Sequence, residues 1–419
     1  MEQRRRQDET SLRICSIISR IMKKSVCLYF QVHQPTRLRL YRFFDIGKDS
    51  HYYDQFINRT ILRRIVQNCY LPMNEILLEA IKECKGKFKV AFSISGSALE
   101  QFERFSPEVI DSFRELAATG CVEFLSETYY HSLASLRSPA EFKLQVSKHK
   151  DLIKKLFDVE PVTFRNTELI YSDEIGSMVY DLGFNLMLTE GARHIMGWKS
   201  SNFMYSNDIQ PKLKLLLRNY PLSDDLAFRF SNRDWSEWPL TVEKYADWLA
   251  KADGEIVNLF MDYETFGEHQ SADTGILDFM RYLPGAILKR GDLKFVTPAE
   301  AGKKLKPASP LSVPQPISWA DEERDLSAWL GNELQQDAFN KLYGLTEKLS
   351  ILNDGTLWAD FGHLQESDHL YYMCTKFFSD GEIHRRFNPY DTPYEAFINY
   401  MNVLSDFIIR VNEALAEKQ

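Results

Sequence analysis

Along the chain, short and nearly unbroken apolar runs alternate with longer stretches in which apolar positions recur at helical spacing. The runs are 26–32, 88–94, 121–125, 162–164, 185–188, 214–217, 256–261 and 293–296. The helical stretches between them include 74–85, 107–118, 139–157, 173–182, 242–252 and 275–282. A run that is apolar at every position predicts a strand covered on both faces, whereas the 3.6-residue period predicts a helix with one buried side. Alternation of the two predicts an α/β fold with a parallel sheet and crossover helices. Seven or eight units over about 280 residues predict a β/α barrel rather than an open sheet.

The residues that end the runs add chemistry to this pattern. The first run passes into His33-Gln34-Pro35, the second into Ser95-Gly96-Ser97 and the third into Ser126-Glu127-Thr128-Tyr129-Tyr130-His131. Phe164 leads into Arg165-Asn166-Thr167-Glu168, Leu188 into Thr189-Glu190, Leu217 into Arg218-Asn219 and Met261 into Asp262-Tyr263-Glu264. In a β/α barrel the carboxyl ends of all strands open onto one mouth, so these side chains are expected to meet there.

Beyond the last run, residues 301–316 carry Pro307, Pro310, Pro314 and Pro316 and read as a linker. The expected organisation is a catalytic barrel over 22–300, the linker at 301–316, and a helical domain over 317–419 with helices near 336–351 and 394–416. Residues 1–21 read as a dispensable extension, because Lys23-Lys24-Ser25 lead directly into the first strand.

Composition narrows the function. The 44% apolar and 26% charged content is that of an ordinary globular protein. A net charge of -8 with no Lys/Arg stripe argues against nucleic acid as a partner. No uninterrupted apolar stretch is long enough to span a membrane, and the weakly apolar segment before Met22 lacks a secretory pattern. The six cysteines form no CxxC pair, so buried thiols in a reducing, cytoplasmic setting are expected rather than disulfides or a zinc knuckle. No metal or cofactor is expected. Tyr and Trp in polar segments, Trp235 and Trp238 among them, suit the apolar faces and hydroxyl edges of sugar rings.

Hydrolysis at an anomeric carbon needs two carboxyl groups flanking the bond. Glu127, Glu168, Glu190, Asp262 and Glu264 all follow strands, and sequence spacing does not choose among them. Five motifs make the pattern more specific: Val32-His33-Gln34-Pro35; Gly96-Ser97-Ala98-Leu99-Glu100-Gln101; Phe164-Arg165-Asn166-Thr167-Glu168-Leu169-Ile170; Met261-Asp262-Tyr263-Glu264-Thr265-Phe266-Gly267-Glu268-His269; and Asp368-His369-Leu370-Tyr371-Tyr372-Met373. In this order they resemble the α-amylase-like group of glycoside hydrolase family 57, over about residues 24–405.

The resemblance implies an incomplete, seven-unit barrel followed by helices that help close the site, with the run at 214–217 expected outside the ring. It implies Glu168 as nucleophile and Asp262 as general acid/base in a retaining reaction on α-1,4-glucans or maltooligosaccharides. The substrate-binding candidates are His33, Gln34, Glu100, His131, Arg165, Glu264, His269, Trp319, Asp368 and His369. Among them His33 is expected to bond a sugar hydroxyl and Trp319 to stack on a ring. Arg165 is expected to hold Glu168 ionised or to form a structural ion pair, and Glu264 to help Asp262 keep its proton. Gly96 is expected to serve a tight turn, and Glu100 to brace the pocket. Within the same family the alternatives are a 4-α-glucanotransferase or a branching enzyme. Outside it they are a non-catalytic glucan-binding protein, or a metal-dependent polysaccharide deacetylase using His33, His131, Asp262 and His269.

Overall fold

Successive side chains of a strand point to opposite faces, and in this chain the two faces enter different cores. In the computed structural model, which describes residues 23–352, 354–376 and 388–418, strand β1 spans Lys24–Val32. Its Cys27 and Tyr29 join one hydrophobic cluster, while Val26, Leu28, Phe30 and Val32 join another built with the surrounding helices. Residues 1–21, read from the sequence as an extension, lie outside the described residues.

Six further strands continue the ring: β2 (Val90–Ile94), β3 (Val122–Phe124), β4 (Phe164–Arg165), β5 (Leu186–Glu190), β6 (Lys214–Arg218) and β7 (Ile256–Asp262). β1 pairs in parallel with β2, from Tyr29↔Ala91 to Val32↔Ile94, and with β7, from Ser25↔Ile256 to Gln31↔Asp262. β2 pairs with β3, β4 with β5, and β5 with β6, all parallel. Two seams complete the circuit. The Ser126 amide donates to the Thr163 carbonyl and the Arg165 amide to the Ser126 carbonyl, both at 2.9 Å, linking β3 to β4. The Asn219 amide donates to the Asn258 carbonyl (2.9 Å), and Asn258 Nδ2 donates to the Leu217 carbonyl (2.9 Å), linking β6 to β7.

The run at 214–217 therefore lies inside the ring, contrary to expectation. The run left outside is the last one. Among the described residues Leu293–Phe295 pairs only with the start of β1, at Lys24–Val26, ahead of the segment where β2 takes over. Both runs are short and buried, and apolarity alone does not distinguish a ring strand from a flanking one.

The inner face of the ring carries Cys27, Tyr29, Ala91, Leu125, Leu188, Leu216, Ile256 and Phe260. Two residues farther along the same face, the strand ends become polar: Gln31, Ser93, Glu127, Glu190, Arg218 and Asp262. An apolar plug with a polar rim is thus a consequence of the two-residue period.

The C-terminal helices Glu333–Tyr343, Gly355–Leu364 and Pro393–Lys418 share one apolar cluster with Phe142, Val146, Phe164, Met187 and Leu215 of the barrel side. The proline-rich connector lies along the barrel. Pro310–Leu311 pairs with Ser206 and Asn207, the Val313 amide donates to Asp173 Oδ2 (2.7 Å), and Ile317 pairs with Tyr171. No helix among the described residues is long and apolar enough to cross a membrane.

Candidate active site

Glu168 follows β4 in a single turn, Thr167–Leu169. Its φ is +55° and that of Leu169 is +52°, a left-handed conformation uncommon for residues with a Cβ. The surroundings hold it there. Asn166 Nδ2 donates to the Ile170 carbonyl (2.9 Å), and the Trp319 amide donates to the Glu168 carbonyl (3.1 Å).

The Glu168 carboxylate is gripped from two sides. His131 Nε2 lies 2.8 Å from Oε1, and the Trp319 indole N–H donates to Oε2 at 2.6 Å. Behind the imidazole, His131 Nδ1 lies 3.0 Å from Glu127 Oε2. Gln31 Nε2 donates to Glu127 at 3.2 Å, and Arg165 lies 4.0 Å from it. Burial works against charge on Glu127, His131 and Glu168, but the hydrogen bonds and opposite charges outweigh it. Glu168 is held below the ordinary carboxylate value by His131, Arg165 and Trp319, and Glu127 is pulled down to about 2. His131, between two carboxylates, is raised to about 9.

Asp262 ends β7 and lines the same cavity as Glu168. Beside it, Glu264 accepts hydrogen bonds from the Tyr70 hydroxyl and from Gln34 Nε2 (3.3 Å). Burial, and then the charge of Asp262, push the Glu264 carboxyl up to about 8. Glu264, expected to help Asp262 keep its proton, itself binds a proton at neutral pH.

His33 donates or accepts at both ring nitrogens, with Ser95 Oγ at 2.7 Å and Asp368 Oδ2 at 2.9 Å, and it stacks on His131 with centroids 4.1 Å apart. Despite burial, His33 holds the Asp368 carboxyl well below its ordinary value. His33, Gln34, His131, Glu264, His269, Trp319 and Asp368 all line the cavity with Glu168 and Asp262.

Three sequence candidates do not line it. Glu100 accepts from the Tyr129 hydroxyl (2.7 Å) and pairs with His363 (3.2 Å), a bracing position. Arg165 is fully buried behind the wall, its guanidinium 4.9 Å from the Trp319 ring centroid. His369 turns away, with Nε2 3.1 Å from the His363 carbonyl oxygen and its ring against Tyr400. Gly96 serves no tight turn: it starts a helix, and a Cβ there would meet the Tyr129 ring at 2.5 Å.

Arg218 and Glu127 are not among the substrate-binding candidates, although Glu127 is one of the five candidate carboxylates. Arg218 lines the cavity at the end of β6. It pairs with Glu190 (3.3 Å) and Asp224 (2.5 Å) and lies 5.6 Å from the Trp319 ring centroid. Both sit at the rim position of the inner-face alternation, the signal that points to them. Among the described residues no group of three or more His, Cys, Asp or Glu side chains is placed to hold a metal, so His33, His131, Asp262 and His269 form no such group.

The chain is similar to known proteins along most of its length. A protein of Methanocaldococcus jannaschii named "Putative alpha-amylase" is 42% identical over 406 residues, covering 93% of this chain and 85% of that protein. The fold is shared with a family 57 branching enzyme from Thermococcus kodakaraensis (TM-score 0.64, 14% identity, 94% of each chain). It is also shared with the α-amylase AmyC from Thermotoga maritima (TM-score 0.60, 12% identity, 94% and 96%). A 4-α-glucanotransferase from Thermococcus litoralis matches with TM-score 0.63 at 16% identity, over 83% of this chain and 56% of that one. The profile of glycosyl hydrolase family 57 matches residues 27–314, and the chain belongs to that family.

Proposed function

We propose that this enzyme, which acts on glycosidic bonds, cleaves α-1,4-glucans with retention of anomeric configuration, Glu168 attacking and Asp262 transferring the proton. The observation that carries the reading is that the two carboxyl groups line one cavity and that His131 and Trp319 clamp Glu168 in it. A nucleophile must be ionised before attack, and the clamp supplies that state. In the first step a Glu168 oxygen bonds to the anomeric carbon as the glycosidic oxygen leaves with the proton from Asp262. In the second, Asp262 takes a proton from water, which attacks the same carbon and frees Glu168. His33, with Asp368 fixing its ring, faces the sugar, and Trp319, Trp329 and Tyr371 supply aromatic surface to the cavity.

Acceptor choice sets hydrolysis against transglycosylation, and we assign water as acceptor in line with the named relative. The buried free thiols Cys27, Cys69 and Cys121 support the cytoplasmic placement in the same proposal. The test is incubation of the enzyme and its Glu168→Gln and Asp262→Asn variants with maltooligosaccharides, following product length and the first-formed anomer by NMR. Loss of turnover by about a hundredfold or more in both variants, with the α-anomer formed first, is expected. Unchanged rates in both variants, β-anomer products, or longer chains without new reducing ends would overturn it.

A further inference from the structure

A second depression lies outside the catalytic cavity and shares a helix with it. Ala227 and Phe228, at the end of helix Tyr220–Ala227, line the catalytic cavity. Leu222 and Asp225 of the same helix line the second depression, together with Arg229, Trp235, Glu237 and Trp248. Two residues along a helix turn a side chain by about 200°, so one short element serves both.

The depression is built rather than accidental. The Trp235 and Trp248 rings meet edge to face with centroids 6.1 Å apart and both stay partly exposed, with the Arg229 guanidinium 5.8 Å from the Trp235 centroid and Lys244 Nζ 5.4 Å from that of Trp248. Arg229 Nε donates to Asp225 Oδ1 at 2.7 Å, and Lys244 Nζ pairs with Glu237 Oε2 at 2.6 Å. Backbone hydrogen bonds fix the loop: Asn232 to Arg229 (3.0 Å), Trp235 to Asn232 (3.2 Å) and Trp238 to Trp235 (2.9 Å).

Two cations matched by two anions give no net attraction for an ion. Indole surface flanked by paired donors and acceptors suits a neutral ligand with apolar ring faces and many hydroxyls. We infer that Trp235 and Trp248 form a non-catalytic binding site for a stretch of α-glucan chain, holding polymeric substrate beside the cavity. The choice of glucan rests on the proposed function.

The inference is tested by native electrophoresis through gels containing glycogen, together with hydrolysis of maltotriose, which is too short to need the second site. Trp235→Ala, and Glu237→Arg as a surface change independent of the core, should weaken retardation by glycogen about fivefold. Both should leave kcat/KM on maltotriose within about twofold. Retardation equal to wild type in both variants, no retardation of the wild type, or a parallel fall on maltotriose would overturn the site. Wild-type enzyme that is retarded through Trp235 yet frees no new reducing ends from any maltooligosaccharide would leave the site standing and overturn the hydrolytic reading instead.

Discussion

At the scale of single residues, the site is a set of protons held in place by neighbours. His131 carries its charge because Glu127 and Glu168 outweigh the cost of burial. Its value is raised in the folded chain, so its contribution to stability is complete below about 6.5 and is lost as pH rises through about 9. Replacing His131 with Ala removes the charge that keeps Glu168 ionised. The acid limb of kcat/KM should then move to higher pH, kcat should fall about tenfold or more, and the buried Glu127 should destabilise the fold by ~3 kcal/mol. A pH–rate profile and a denaturant titration check this; an unmoved acid limb would sink the role given to His131. Glu264 is expected to set the opposite limb. Its carboxyl, pushed up to about 8, keeps a proton beside Asp262 until mildly alkaline pH. In the wild type the alkaline limb is expected near that value. In Glu264→Gln one carboxyl remains without a like-charged neighbour, so the limb should move to lower pH, read from the same profile.

At the scale of elements, what was legible followed from burial, and what was missed followed from contacts across the chain. Apolar runs located every ring strand, and helix 139–157 matches Pro139–Phe157. The stretch 336–351 divides into Glu333–Tyr343 and Thr346–Leu352 around Gly344. The stretch 275–282 continues to Arg290 through Pro284, because the packing of Leu283, Pro284 and Ile287 offsets the helix break that proline favours. The carboxylates were legible as strand ends and their expected roles from the motif resemblance, but the contacts that distinguish them were not. Those contacts have Trp319 reaching Glu168 across 151 residues and Tyr70 reaching Glu264 across 194. The loop after Asp262 shows the same dependence. Gly267 has φ +105°, and a Cβ there would run into the backbone carbonyl of Asn68. Neither partner has a flexible end that can yield. Gly267→Ala should therefore cost about 2 kcal/mol or more in stability. It should also lower kcat by shifting the Asp262–His269 loop, with a smaller effect on KM. Thermal melts and steady-state kinetics together test this, and a melting temperature equal to wild type would refute it.

At the scale of the whole molecule, the proline-rich segment looked from its composition like a boundary, and composition has no means of showing what covers it. In the structure that segment is hydrogen-bonded to Asp173 through Val313, Ile317 just beyond it is bonded to Tyr171, and the residues that follow complete the walls of the cavity. Trp319 holds Glu168, Asp368 holds His33, and Glu366 accepts from the Thr36 amide and from Ser97 Oγ (2.7 Å) at the ends of two ring strands. Apolar residues of the last three helices share a cluster with Phe164, Met187 and Leu215 of the barrel side. A chain cut after Pro316 would expose that apolar surface to water and remove Trp319 from Glu168 and Asp368 from His33 at once. Such a truncation should give insoluble or non-cooperatively melting protein, and addition of residues 317–419 as a separate polypeptide should restore solubility only if the two pieces associate. A soluble 23–316 fragment with a sharp melt would show that the barrel folds by itself. The C-terminal helices would then be a cover added to a finished domain rather than half of the core that positions the carboxylates.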